Sequence, residues 1–183
     1  MGAPHNPARY GETWPQDRID ACLSELESIK CWAILSGGWA WHFMSPKGHV
    51  ELKHAHDHKD VDVFALPQDV STIVTTLQAR GFGKVWTKYD RLPSDEEFRR
   101  YEKTVKLAGQ NPVRVTIDFF VRDDVPYREI DGWRVVEPRF LLSLYSSIHS
   151  SDKCFAVQAA AKLIERGIDP LGRSELICAP AKR

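Results

Sequence analysis

Two neighbouring stretches of the chain contain residue types that suit phosphate or metal chemistry. The first, SGGWAWHF at 36–43, places Gly37 and Gly38 directly before an aromatic-rich segment. Glycines at a strand-to-helix turn let backbone N–H groups approach an anion closely. The second, HAHDHKDVDVFA at 54–65, leads from closely spaced histidines into Asp60 and Asp62. The glycines, the histidines and the aspartates are therefore the three candidate chemical groups.

The aspartates of the second stretch lie in the alternating segment DVDVFAL, which predicts a strand. Asp60 and Asp62 are two residues apart and project from the same face of that strand. Two adjacent carboxylates repel each other unless a positive charge lies between them. Their hard oxygen ligands favour Mg²⁺ or Mn²⁺ as this charge. A solvated strand face carrying two acids is the alternative.

A third carboxylate, Asp118, lies near the end of the strand-like segment VRVTIDFF. Val113, Val115 and Ile117 occupy the other face of this strand, so Asp118 lies on the polar face of a core strand. Taken alone, it could pair with an arginine or a lysine. Together with Asp60 and Asp62 it could complete a three-carboxylate cage for two metal ions, suited to phosphoryl or nucleotidyl transfer.

The combination of GGWA, then KDVDV, then a single aspartate on a later strand resembles the DNA polymerase β-type nucleotidyltransferase superfamily. The similar branch is that of the minimal enzymes resembling aminoglycoside nucleotidyltransferases and nucleotidyltransferase toxins. The resemblance covers about residues 35–164 and implies a nucleotidyltransferase-like fold. It also assigns roles to individual residues: the metal ligands and catalytic residues Asp60, Asp62 and Asp118, and the nucleotide-binding residues Ser36, Gly37, Gly38 and Lys153.

The activity implied by this resemblance is Mg²⁺-dependent (or Mn²⁺-dependent) transfer of NMP from an NTP, with ATP as the expected donor, to an acceptor hydroxyl. A small molecule, a tRNA end and a protein side chain all stay open as the acceptor. The segment SPKGHVELKHAHDH departs from the pattern as an apparent inserted loop, and such loops shape acceptor pockets. A non-catalytic nucleotide-binding or regulatory member of the same fold is the alternative.

The histidines offer a different chemistry. HAHDH is close to the H-x-H-x-D-H run of binuclear zinc hydrolases, but Asp57 follows His56 without the required spacer. The surrounding sequence has no strand or helix period, so a solvated loop is the favoured interpretation. A zinc-dependent hydrolase is a less favoured alternative, and its ligands would come from His49, His54, His56 and His58.

Composition indicates an ordinary globular protein with no membrane partner. The 183 residues are 43% hydrophobic and 27% charged, with a formal net charge of zero. The N-terminus has no apolar segment typical of a secretory signal, and no apolar run reaches the roughly 20 residues of a membrane span. We therefore expect one cytoplasmic domain over 1–183, with a loose arm at 1–14 and a C-terminal helical segment at 138–183.

The periodicity of apolar residues predicts an α+β fold, a small mixed sheet flanked by helices, with further helices at the C-terminus. Helical spacing appears after Pro15, after Pro67 and beyond Pro138, whereas strand-like segments include CWAIL, KVWTKY, YEKTVKLA and WRVVEP. The stretch DRLPSDEEFRR at 90–100, between KVWTKY and YEKTVKLA, is predicted to be a polar loop. Cations and aromatic residues cluster around the middle strands, where they could bind nucleic acid or form solvated strand faces. This cluster comprises Lys84, Trp86, Lys88, Tyr89, Arg91, Arg99, Arg100, Tyr101, Lys103 and Lys106.

Overall fold

The protein is described here by a computed structural model that covers residues 16–44, 60–91, 97–106, 109 and 112–146. Within these ranges, seven strands form one mixed sheet and four α-helices lie around it. The helices are α1 (Gln16–Leu26), α2 (Gly37–Met44), α3 (Val70–Ala79) and α4 (Pro138–Ser146). The strands are β1 (Ala33–Leu35), β2 (Val61–Ala65), β3 (Gly83–Val85), β4 (Glu97–Val105), β5 (Val113–Val121), β6 (Tyr127–Ile130) and β7 (Trp133–Val136).

The strand order is β3-β4-β5-β2-β1-β7-β6. At its centre β2 runs antiparallel to β1 and parallel to β5, and β5 runs antiparallel to β4. Every residue of β1 is buried, as expected for a strand in the middle of a sheet. The predicted α+β class and mixed sheet are confirmed, although seven strands make the sheet larger than expected.

The helices follow the apolar spacing of the sequence. In α1 the side chains of Ile19, Cys22 and Leu26 recur every three or four residues and are buried. Helix α3 buries Ile73 and Leu77 and ends at Ala79, and Gly81 follows two residues later with a φ of 84°, the left-handed value favoured by glycine. The N–H of Gly81 donates to the carbonyl of Gln78 at 2.9 Å, which closes the helix end.

Three expectations about the strands were wrong in detail. Strand β4 begins at Glu97, inside the stretch 90–100 that was predicted to be a polar loop. The segment KVWTKY is a strand only to Val85, and a 3-10 turn follows at Lys88–Arg91. Strand β6 was not predicted, and it forms a hairpin with β7.

Several predictions concern residues outside the described ranges. These are the N-terminal arm at 1–14, the histidine-containing loop and the part of the C-terminal helical segment beyond residue 146. Among the described residues, no helix has the length and apolar character needed to cross a membrane.

Candidate functional site

The glycine turn lies directly against the strand that carries Asp62. After β1 ends at Leu35, the backbone N–H of Ser36 donates to the carbonyl of Asp62 at 2.8 Å. The carbonyl of Ser36 accepts from the N–H of Ala40 at 3.0 Å, which forms the first turn of α2. Gly37 and Gly38 are therefore the first residues of α2, at the predicted strand-to-helix turn. The residue before them, Ser36, is hydrogen-bonded to the backbone of β2.

Two features of the backbone at Gly37 favour glycine. Its φ is 55°, in the left-handed region. A Cβ at this position would lie 2.2 Å from Oδ2 of Asp62 and 3.1 Å from its Cβ. The missing side chain therefore allows the helix start and the Asp62 carboxylate to be in direct contact.

Sheet register aligns the acids and one arginine across three strands. Asp62 of β2 pairs with Asp118 of β5, and Asp118 pairs with Arg100 of β4. Residues paired in this way project from the same face of the sheet, so Arg100, Asp118 and Asp62 form one transverse row. Asp60 precedes β2 by one residue and so is not on the strand itself, which corrects the prediction that both aspartates lie on it.

The row contains a strong ion pair. Nε of Arg100 donates to Oδ1 of Asp118 at 2.6 Å, and a terminal guanidinium nitrogen donates to Oδ2 at 2.5 Å. The same terminal nitrogen lies 4.0 Å from Oδ2 of Asp60. This hydrogen bonding to Asp118, followed by the charges of Asp118, Asp60 and Glu102, raises the pKa of Arg100 further above its already high ordinary value. The pairing of Asp118 with an arginine, left open by the sequence, is thus present.

Asp118 is 5% exposed, and a buried carboxylate requires a cation or several donors. In this structure that cation is Arg100. Within the described ranges, no group of three or more His, Cys, Asp or Glu side chains is placed so that it could hold a metal ion. The set of oxygen donors fits Mg²⁺ or Mn²⁺ chemically, but both oxygens of Asp118 are engaged by the guanidinium.

An aromatic row borders the charged row on the same face of the sheet. Phe98 pairs in register with Phe120, and Phe120 pairs with Phe64, two positions along from Arg100, Asp118 and Asp62. Ring centroids are 5.2 Å apart for Phe98 and Phe120 and 5.9 Å apart for Phe120 and Phe64. Apolar rings therefore lie beside the acids, where they limit solvation and strengthen charge interactions.

The cations of the middle strands do not form one common surface among the residues described. Lys103 donates to Glu25 at 2.6 Å, and Lys84 donates to Asp90. Arg100 points to the face that carries Asp118, whereas its neighbours in β4 point to the opposite face. Tyr101 is buried there and stacks on Phe119 with ring centroids 5.8 Å apart. Lys84, Arg100 and Lys103 are therefore distributed over both faces of the sheet, and each is paired with a nearby acid. Among the described large hydrophobic side chains, Trp86 is the most exposed, at 78%.

The structure brings Ser36, Gly37, Asp60, Asp62 and Asp118 into one region, and their roles in binding metal and nucleotide stay predictions. Lys153 and the histidines His49, His54, His56 and His58 lie outside the described residues. The sequence did not single out Arg100 as part of the site. The alternation of Phe98, Arg100 and Glu102 along β4 was the available signal, but these residues lay in or next to a predicted loop.

Comparison with models of known protein families, with curated proteins and with solved structures gave no match. The functional assignment of this chain depends on the geometry of the row and on the resemblance of its motifs.

Proposed function

We propose that this protein is a Mg²⁺-dependent nucleotidyltransferase that moves NMP from an NTP, with ATP as the expected donor, to an acceptor hydroxyl. One observation carries the proposal. The glycine-led start of α2 contacts the carboxylate of Asp62, and Asp118 is the residue in register with Asp62 on the adjacent strand. A glycine-led helix start and a pair of acids thus lie side by side, which supports transfer from a polyphosphate.

The helix start supplies the donors for the triphosphate. Backbone N–H groups at the first turn of a helix lack intrahelical partners and point along the helix axis, and the helix dipole adds a positive potential there. Gly37 and Gly38 provide such groups with no side chain in the way, and Ser36 is the residue directly before them. Lys153, outside the described residues, is assigned a further phosphate contact on the resemblance alone.

The acids supply the other half of the site. A triphosphate and three carboxylates repel each other, so binding requires a divalent cation between them. Asp60, Asp62 and Asp118 would hold Mg²⁺ or Mn²⁺, which would polarise the phosphoryl oxygens as a Lewis acid. On the resemblance of the motifs, Asp118 is assigned the further role of accepting the proton of the attacking hydroxyl; it is buried and lies beside the aromatic row.

The acceptor is proposed only as a hydroxyl, on a small molecule, a tRNA end or a protein. A non-catalytic nucleotide-binding protein is the second candidate, but retention of all three aspartates argues against it. The zinc-hydrolase alternative depends on histidines outside the described residues, and the described part of the structure offers no observation in its favour.

Isothermal titration of ATP into the purified protein, with Mg²⁺ and with EDTA, tests the proposed nucleotide site. We expect binding only with the cation, and we expect Asp62→Asn to weaken it by about tenfold or more, since one charged ligand contact is worth about 1.5–3 kcal/mol. Asp124→Asn is the control, because Asp124 is an aspartate paired with Arg122 at 3.2 Å, is 80% exposed and belongs to another part of the chain.

Equal ATP affinity with and without EDTA would reject the proposed site. Tightly held zinc in a stoichiometric amount, measured on the purified protein, would instead support the hydrolase alternative.

A further inference from the structure

Arg100 stands out because it contacts two of the three acids of the candidate site. Its side chain donates two hydrogen bonds to Asp118, at 2.6 and 2.5 Å, and lies 4.0 Å from a carboxylate oxygen of Asp60. The side chain of Asp118 is only 7% exposed, whereas that of Arg100 is 32% exposed. A guanidinium that reaches from the more open edge of the site thus covers a buried carboxylate.

We propose that Arg100 is the internal counter-cation of this site, and that it competes with a divalent cation for the carboxylate of Asp118. The inference rests on the proposed function, because it takes Asp60, Asp62 and Asp118 to be metal ligands. It adds a residue and a step that the motif resemblance does not supply: binding of the cation requires the Arg100–Asp118 pair to open.

The competition follows from the positive charge that both cations bring to the same two oxygens of Asp118. A two-point arginine–carboxylate contact uses both oxygens, with the donors in a fixed planar fork. A Mg²⁺ or Mn²⁺ ion bound at about 2.1 Å needs at least one of the same oxygens and repels a nearby guanidinium. The repulsion between the two cations therefore disfavours holding both on Asp118 in the geometry seen here.

No neighbouring cation of β4 is placed to take over this role. Arg99 and Lys103 project from the opposite face of the sheet, where Lys103 is bonded to Glu25 at 2.6 Å and Arg99 lies over the ring of Phe119. Loss of the Arg100 charge would leave the acids with more mutual repulsion in the metal-free protein. A divalent cation would relieve that repulsion and would no longer have to displace a competitor.

The test compares wild type, Arg100→Gln and the control Arg114→Gln. Arg114 belongs to the same face of the sheet and is also paired with an acid, Glu102 at 3.8 Å, but its side chain is 70% exposed. Binding of Mn²⁺ alone is measured by the electron paramagnetic resonance signal of the free ion, and melting temperature is measured with and without Mg²⁺. We expect Arg100→Gln to bind Mn²⁺ about tenfold more tightly than wild type and to gain more melting temperature from Mg²⁺. The control should behave as wild type.

A second variant, Arg100→Lys, serves if Arg100→Gln does not fold. Lysine keeps the charge but cannot make the two-point contact, so a smaller tightening of Mn²⁺ binding is expected. Equal Mn²⁺ affinity in wild type and the Arg100 variants would overturn the competition and leave the proposed nucleotidyltransferase site standing. Absence of Mn²⁺ binding in all of the proteins would overturn both.

Discussion

Replacing Gly37 by alanine tests whether the contact between the glycine turn and Asp62 is as close as the structure indicates. The new Cβ would lie 2.2 Å from Oδ2, 3.0 Å from Cγ and 3.1 Å from Cβ of Asp62. Rotation of the carboxylate removes the contact with the oxygen but leaves the one with Cβ, which β2 holds in place. The turn or the strand must therefore shift.

The expected destabilisation has two parts. A non-glycine residue in the left-handed region, at the φ of 55° found here, costs about 1–2 kcal/mol. Forced overpacking against Asp62 adds about 1–3 kcal/mol. A total of about 3 kcal/mol corresponds to a melting temperature lower by roughly 6–12 °C for a chain of this size.

Gly81→Ala provides the matched control. Gly81 also has a positive φ, 84°, but nothing lies within 4 Å of the position its Cβ would take. This variant should therefore lose only the strain, about 1 kcal/mol or roughly 2–4 °C. Thermal melts followed by circular dichroism measure both losses, and titration of Mg²⁺·ATP shows whether Gly37→Ala alone weakens binding. Equal melting temperatures and equal ATP affinity in the two variants would refute the reasoning.

Three further outcomes are expected. Without metal, Asp118→Asn should lower the free energy of unfolding by about 1.5–3 kcal/mol, because Asp118 makes the two-point contact with Arg100. Asp60→Asn should lower it much less, since Asp60 lies 4.0 Å from the guanidinium. Equal losses of unfolding free energy in denaturant titrations would contradict this. Burial raises the pKa of the Cys22 thiol to about 12, so the folded state retains a proton that the unfolded chain loses above about pH 9. The stability advantage of wild type over Cys22→Ala should therefore be constant below pH 9 and shrink by about 1.4 kcal/mol per pH unit from there to about pH 12, as measured by urea titrations. His54→Ala and His56→Ala should leave ATP affinity unchanged in calorimetry, whereas a large loss of bound metal would favour the zinc alternative.

Local patterns in the sequence were enough to predict the helices and most strands. The apolar period of α1 and α3 and the alternation in β5 are properties of short segments, and the structure confirms them. Strand β6 was missed because it is short and largely exposed. Its signal was the Asp131-Gly132 pair, which has φ of 50° and 74° and joins β6 to β7 as a hairpin turn.

The site was predictable only in part. The spacing of Asp60 and Asp62, and the position of Gly37 at the start of a helix, are local features. The alignment of Asp62 with Asp118 arises from the pairing of strands far apart in the chain, and no short pattern specifies that register. The sequence predicted a loop at Arg100, so its position opposite Asp118 in the sheet could not be inferred.

The most direct test of the central claim is transfer of label from NTPs carrying a radioactive α-phosphate. Each NTP is incubated with the protein, Mg²⁺ and a separate pool of tRNA, protein or small metabolites. We predict that label enters one pool with release of pyrophosphate, that EDTA or Asp62→Asn abolishes transfer, and that a γ-phosphate label does not move to the acceptor. Tight Mg²⁺-dependent nucleotide binding without label transfer from any NTP to any pool would contradict the claim and favour the non-catalytic alternative.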